Sequence, residues 1–179
     1  MTEPIYSPGL EGVIAGETAI STVTGGLQYR GYSIEDLARH ASFEEVAYLM
    51  LYNELPTAEQ LDAFGQRLTA SAEVSPAIIE TLRKIPANVN SMDVMRSGCS
   101  LLAHWDPDRD DNSHDANLRK AERLLAQLPV VMAARHRLKQ GKEPVAPESG
   151  RAGGGALLRE LLRAPAAPGP PYPRRASVD

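Results

Sequence analysis

The sequence predicts a mainly α-helical fold with a short β-hairpin element at the front. Three observations carry this. Helix-start signatures recur between Ser33 and Pro76, apolar residues repeat at helical spacing between Met92 and Leu128, and a β-prone stretch with a glycine pair precedes both.

The front element comes first. Across Gly12–Tyr32, Val13, Ile14, Ala19, Ile20 and Val23 are read as β-formers. Gly25-Gly26 supplies the positive φ angles of a tight turn before a second strand at Leu27–Tyr32. A lone hairpin is marginal in water, so it is expected to lie against helices. Ser33 with Asp36 approximates a capping box, and Ser42 with Glu45 and Thr57 with Gln60 fit one fully. Helices are therefore expected from Ile34, Phe43 and Ala58, the second closed by Asn53 and Pro56. Ser75-Pro76 starts a fourth by cap and first-turn proline, and Pro86 ends it. A fifth helix is expected over Ser91–His104, with Met92, Met95, Cys99 and Leu102 as its apolar stripe. A sixth is expected from Asp115 to Gln140, with Leu118, Ala121, Leu124, Leu125 and Leu128 as its stripe, a kink at Pro129 and a stop at Gly141. No internal repeat is visible.

Beyond Pro147 the composition changes. Residues 148–179 are rich in Gly, Ala, Pro and Arg, with one Leu-rich segment at Ala156–Arg163. That segment is shorter than the ~12–15 residues an isolated helix needs. The expectation is one incomplete helical region over 1–147 and a disordered tail over 148–179.

Composition narrows the function. The chain has 179 residues, 42% of them hydrophobic and 5% aromatic, so a sizeable core must rest on aliphatic side chains. A net charge of −4 gives no electrostatic reason to expect nucleic acid or an anionic membrane as partner. The single cysteine, Cys99, makes no internal disulfide and no zinc cage. No basic and apolar leader is visible, and no apolar run approaches the ~20 residues of a membrane span. A cytoplasmic chain is expected.

The stretch Gly9–Asn53 carries a resemblance. GLEGVIAGETAIS, LQYRGYSIEDLA and FEEVAYLMLYNELPT, in that order and spacing, resemble the amino-terminal segment of citrate synthases, including the 2-methylcitrate synthases. The resemblance covers roughly residues 8–147, and the tail does not share it. It implies the amino-terminal part of that family's large helical domain, which carries the dimer interface. The fifth helix, by order, is one at that interface. It also implies a parent activity in the tricarboxylic acid cycle: condensation of an acyl-CoA, acetyl-CoA above all, with oxaloacetate to give citrate and CoA. The acyl-CoA is a substrate, and no cofactor is implied.

In that family one Asp deprotonates the acyl-CoA, a His stabilises the enol, and a second His polarises the ketone. These residues belong to motifs of the type Gly-x-x-His-Gly and Gly-His-x-x-Tyr and to a late helix. His40, His104, His114 and His136 all lack the flanking glycines. No catalytic, cofactor-binding or metal-binding residue is therefore carried over, and the family's CoA-binding residues also lie beyond this stretch.

The histidines are read as structural. His40 and His104 close helices, His114 lies in a polar loop, and His136 shares a solvated face with Arg135, Arg137 and Lys139. Cys99 is read as a small buried hydrophobe. Asp106, Asp108 and Asp110 have the alternate spacing of a calcium loop. Asp111 replaces its glycine, however, and Asn117 its bidentate Glu, so a solvated connection with helix-capping acids is expected. Gly150–Gly155 lacks the Lys-Ser/Thr of a phosphate loop, and Arg174-Arg175 is too short for a basic patch.

Two readings of function follow: a truncated or frameshifted citrate synthase-like chain without its catalytic centre, or a non-catalytic helical module. Either is expected to self-associate, as a homodimer or with a full-length citrate synthase.

Overall fold

The computed structural model describes Gly9 and residues 16–145. Val13 and Ile14, the division at Pro147 and the tail lie outside them. The described chain starts with three two-residue strands, β1 (Ser21–Thr22), β2 (Gln28–Tyr29) and β3 (Tyr32–Ser33), in one antiparallel sheet of order β1-β2-β3. The expected single strand at Leu27–Tyr32 is therefore two strands. The missed signal is Arg30-Gly31, where both residues have positive φ, 49° and 84°. Such a pair is what a two-residue hairpin loop of matching twist requires. Gly25 and Gly26, at φ 78° and 113°, make the turn between β1 and β2 as expected.

Six helices follow: α1 (Ile34–His40), α2 (Phe43–Tyr52), α3 (Ala58–Ala70), α4 (Pro76–Lys84), α5 (Ser91–His104) and α6 (His114–Lys139). Both full capping boxes form. Ser42 Oγ accepts from the Glu45 amide while the Glu45 carboxylate accepts from the Ser42 amide, and Thr57 and Gln60 repeat the exchange. Asn53 closes α2 in the left-handed region, at φ 70°. α6 runs through Pro129, which cannot donate to the Leu125 carbonyl but does not end the helix.

α6 is the spine, with α3, α4 and α5 packed against it. The core joins Tyr48 of α2, Phe64 and Leu68 of α3, Ile78 and Leu82 of α4, and Val94 and Leu102 of α5 to Ala126, Val130, Val131, Ala133 and Ala134 of α6. At the front of this core Tyr48 meets Phe64 edge-on at 5.5 Å between ring centroids.

The sequence mistook which faces these helices bury. On α5 the inner row is Val94, Gly98 and Leu102, whereas Met92 and Cys99 are exposed. Cys99 is thus not a buried hydrophobe, because the close α5–α6 contact turns the Gly98 face inward and Cys99 out. On α6 the expected leucine stripe is only half-buried, and small residues hold the centre. The reason is steric. A Cβ added at Gly98 would stand 2.7 Å from Val131 Cγ1, so the helices touch almost backbone to side chain. Leu102 and Val131 are core residues.

Gly98→Val is accordingly expected to destabilise the chain by about 1–3 kcal/mol through overpacking, whereas Gly98→Ala costs less. Urea unfolding followed by circular dichroism reads the difference.

Candidate functional site

All four histidines are exposed. His40 and His104 lie in the last turns of α1 and α5, where a ring facing the negative helix end was expected. His114 is not in a loop; it is the first residue of α6, after the Ser113 cap. His136 accepts from the Gln140 amide nitrogen at 2.7 Å. Its neighbour Arg135 leaves the solvated face altogether. It is buried, and its guanidinium donates to the carbonyls of Leu82 at 3.4 Å, Ile85 at 3.0 Å and Pro86 at 2.6 Å. Arg135 thus caps the carboxy-terminal end of α4 and opposes the helix's negative end. It adds a charged donor to the Leu82 and Pro86 carbonyls, which also accept from the Ile85 and Val89 amides, and it reaches the Ile85 carbonyl.

Three ionic clusters join separate parts of the chain. In the first, Arg123 grips Asp106 at 2.7 and 2.9 Å and reaches Asp108 at 2.6 Å, while Arg119, one turn earlier, holds Asp108 at 2.7 Å. The expected capping acids are therefore mainly a latch between the α5–α6 connection and α6. Only Asp111 acts near the helix start, accepting from the Ser113 amide. Arg119 and Arg123 hold the Asp108 carboxyl well below the ordinary carboxylate range. At Asp106 burial opposes the charge, but the Arg123 contact outweighs it and the shift is again downward. Among the described residues no group of three or more His, Cys, Asp or Glu is placed to hold a metal ion.

The second cluster is more enclosed. Glu122 of α6 is buried and takes both Nε of Arg67 at 2.9 Å and a terminal nitrogen at 2.8 Å, with the Tyr52 hydroxyl donating at 2.5 Å. One carboxylate thereby ties α2, α3 and α6. Burial disfavours its charge, yet the Arg67 and Tyr52 bonds prevail and lower its pKa. Burial, then the bond to Glu122, push the Tyr52 phenol up to about 12. The third cluster is exposed: Arg83 pairs with Glu143 at 2.7 Å and with Glu80 at 3.2 Å.

Two clefts open on the helical layer. One of about 240 Å3 is lined by Ser75, Ile78, Leu102, Trp105, Asp106 and Arg123. Another of about 290 Å3 is lined by Val74, Pro76, Ile79, Val130, Ala134 and Val145. Both fall below the ~300 Å3 at the small end of ligand pockets. Neither is lined by a histidine, and in the first Asp106 and Arg123 are paired with each other. Among the described residues these ionic clusters tie the helices to one another.

The sequence model of the family described as "Citrate synthase, C-terminal domain" matches residues 9–168. The chain belongs to the citrate synthase family. The 2-methylcitrate synthase of Mycobacterium tuberculosis (strain H37Rv) is 45% identical over 150 residues, covering 82% of this chain and 38% of that protein. The 2-methylcitrate synthase 2 of Corynebacterium glutamicum is 36% identical over 174 residues, covering 96% of this chain and 44% of that protein. Among solved structures, the citrate synthase of Pyrobaculum aerophilum superposes with a TM-score of 0.77 at 30% identity, over 86% of this chain and 41% of that one. This citrate synthase-family chain thus spans about two fifths of the length of these relatives. Its helical architecture is theirs, and the matched stretch runs past Pro147 to residue 168. Among the described residues no helix is long and apolar enough to cross a membrane.

Proposed function

We propose that this chain supplies the front of the large helical domain of a citrate synthase-type enzyme and does not itself complete an active site. The parent reaction is condensation of an acyl-CoA with oxaloacetate, giving citrate from acetyl-CoA or 2-methylcitrate from propionyl-CoA, together with free CoA. The observation that carries this reading is the placement of the four histidines, all exposed, at the ends of α1, α5 and α6 and on the last turns of α6, and lining neither of the two clefts described above. Enolisation needs a base and an enol-stabilising donor at one carbon, and the chemistry loses orders of magnitude when either is displaced. We keep a cytoplasmic setting with this reading.

A second reading, a non-catalytic pairing module, is favoured by the bare side chains on the outer face of α5 and α6, with Met92 and Cys99 on one and Met132 on the other. Such a face suits self-association or a homodimer, or pairing with a full-length citrate synthase. A truncation or frameshift at about Pro147 fits the change in composition there, while the family match through residue 168 weighs against it for the first part of the tail. Translating the other two frames of the gene beyond codon 145 tests it: an Asn-Phe-Leu helix and a His-Gly motif in one of them are expected, and early stops in both exclude a frameshift.

Calorimetric titration of the purified chain with oxaloacetate, and then with acetyl-CoA or propionyl-CoA, tests the main reading. No saturable heat is expected for any of them. Saturable binding of both substrates would show a complete site and overturn it.

A further inference from the structure

The smaller cleft has a makeup that the ionic clusters do not account for. Trp105, the chain's single tryptophan, ends α5, its amide bonded to the Leu102 carbonyl at 3.2 Å. Leu102 and Ile78, which line the same cleft, are core residues, yet Trp105 is left 52% exposed. A ring of this size normally buries most of its surface. Among the described residues only the His104 ring stands beside it, edge-on at 6.2 Å between centroids. Glu73, between α3 and α4, also lines the cleft and is exposed. Its backbone carbonyl accepts from the Gln127 side chain of α6 at 3.0 Å, which pins this stretch in place. The Glu73 carboxylate itself has no hydrogen bond or ion pair among the described residues. Arg123, the one cation of the lining, is already engaged by Asp106 at 2.7 Å and by Asp108 at 2.6 Å. The lining therefore sets two carboxylates, Glu73 and Asp106, against one occupied guanidinium.

We propose that this cleft, lined by Trp105 and Glu73, receives the guanidinium of an arginine side chain on a peptide or protein partner. The site goes beyond the condensation reading and does not depend on it. A half-bare indole attracts a cation through its ring quadrupole, and tryptophan does so more strongly than any other side chain. The unpaired Glu73 carboxylate supplies the opposite charge, and carboxylate and guanidinium match as fork to fork. At about 240 Å3 the cleft is too small for a cofactor-sized ligand but admits the flat end of one side chain. Arginine suits it better than lysine, because a planar guanidinium stacks on an aromatic face and is more weakly hydrated. The same lining disfavours free arginine. Its α-carboxylate would meet Glu73 and Asp106 with no unengaged cation to hold it, whereas a peptide-borne arginine carries no such group.

The test titrates the full 179-residue chain with the capped peptide Gly-Arg-Gly, and Trp105, as the single tryptophan, reports by its own fluorescence. A weak, saturable change is expected. The lysine peptide should bind less well, and a citrulline peptide, the neutral isostere, should give no saturable change. Glu73→Gln should weaken binding by about threefold or more, the scale of an exposed charge pair. Glu73 is exposed and unpaired among the described residues, so an unchanged melting curve verifies that this variant folds. A nitrogen–proton correlation spectrum gives a second readout, with the amides of residues 73–75 and 104–106 shifting in the unsubstituted chain and staying still in Trp105→Leu. No saturable change, equal binding of the citrulline peptide, indifference to Glu73→Gln, or shifts confined to other residues each overturn the proposal. Free arginine binding more tightly than the capped peptide would make this a small-molecule site and also overturn it.

Discussion

Arg135→Leu is expected to destabilise the chain by about 3 kcal/mol or more. A charged donor contributes roughly 1.5–3 kcal/mol through its hydrogen bonds, and each acceptor left unmet inside costs about 1–3 kcal/mol. Arg135 serves the carbonyls of Leu82, Ile85 and Pro86 where α4 ends against α6; without it those of Leu82 and Pro86 keep a backbone amide, and that of Ile85 loses its charged donor. Leucine fills much of the space but offers none of those donors. Arg135→Lys should recover only part of the loss, because a single ammonium lacks the fork that reaches several carbonyls at once. Thermal or urea unfolding ranks the three proteins. A leucine variant as stable as the parent would mean the α4 end is satisfied without this side chain.

The second large effect is expected at Glu122. Replacing it by Ala removes the acceptor shared by Arg67 and Tyr52 and separates α2 and α3 from α6. Arg67 is 46% exposed at its side chain and can turn to water, so the cost is smaller than for a fully enclosed pair, about 2–3 kcal/mol. The cluster also gives stability a pH signature. The Glu122 pKa lies lower in the folded chain, so its contribution is complete above the ordinary carboxyl range and is lost as pH falls through the folded value. The Tyr52 pKa is raised from 10.0 to about 12, so its contribution is complete below 10.0 and is lost as pH rises through about 12. Glu122→Gln should flatten the acid limb and shrink the alkaline shift together. Tyr52→Phe should abolish the alkaline limb and, by removing one of the bonds that lower the Glu122 pKa, also weaken the acid limb. Chemical unfolding across acid, neutral and alkaline pH reads both.

How much of this was legible in sequence depends on the kind of signal. Helix starts were, because Ser42, Thr57 and Ser75 act on backbone amides within three residues of themselves, and local chemistry leaves a local signature. Which face a helix buries was not. Met92 and Cys99 looked like core by hydrophobicity alone, yet the α5–α6 approach is decided by Gly98, a residue with no side chain to advertise itself. Arg135 was hidden for a similar reason: a basic residue among basic residues reads as surface, and its acceptors lie about fifty positions away. The Arg67–Glu122 pair is likewise long-range. The Arg30-Gly31 turn was within reach, since a glycine between β-prone residues marks a tight loop, but the Gly25-Gly26 pair nearby drew the turn to itself. For the site, the residues flanking each histidine were the only signal; all four positions are exposed, but His114 starts α6 instead of lying in a loop, and Arg135 leaves the face read for His136.

The central claim is that this chain shares the family's architecture without housing its chemistry, and turnover tests it most directly. Loss of the thioester absorbance of acetyl-CoA and of propionyl-CoA should be followed with oxaloacetate and the purified chain. A thiol reagent is the wrong probe, because exposed Cys99 would itself react. The expected result is a rate indistinguishable from the reaction without protein. Enzymes commonly turn over at about 1–1,000 per second, so a rate within about tenfold of an intact citrate synthase would be unmistakable, and it would contradict the account.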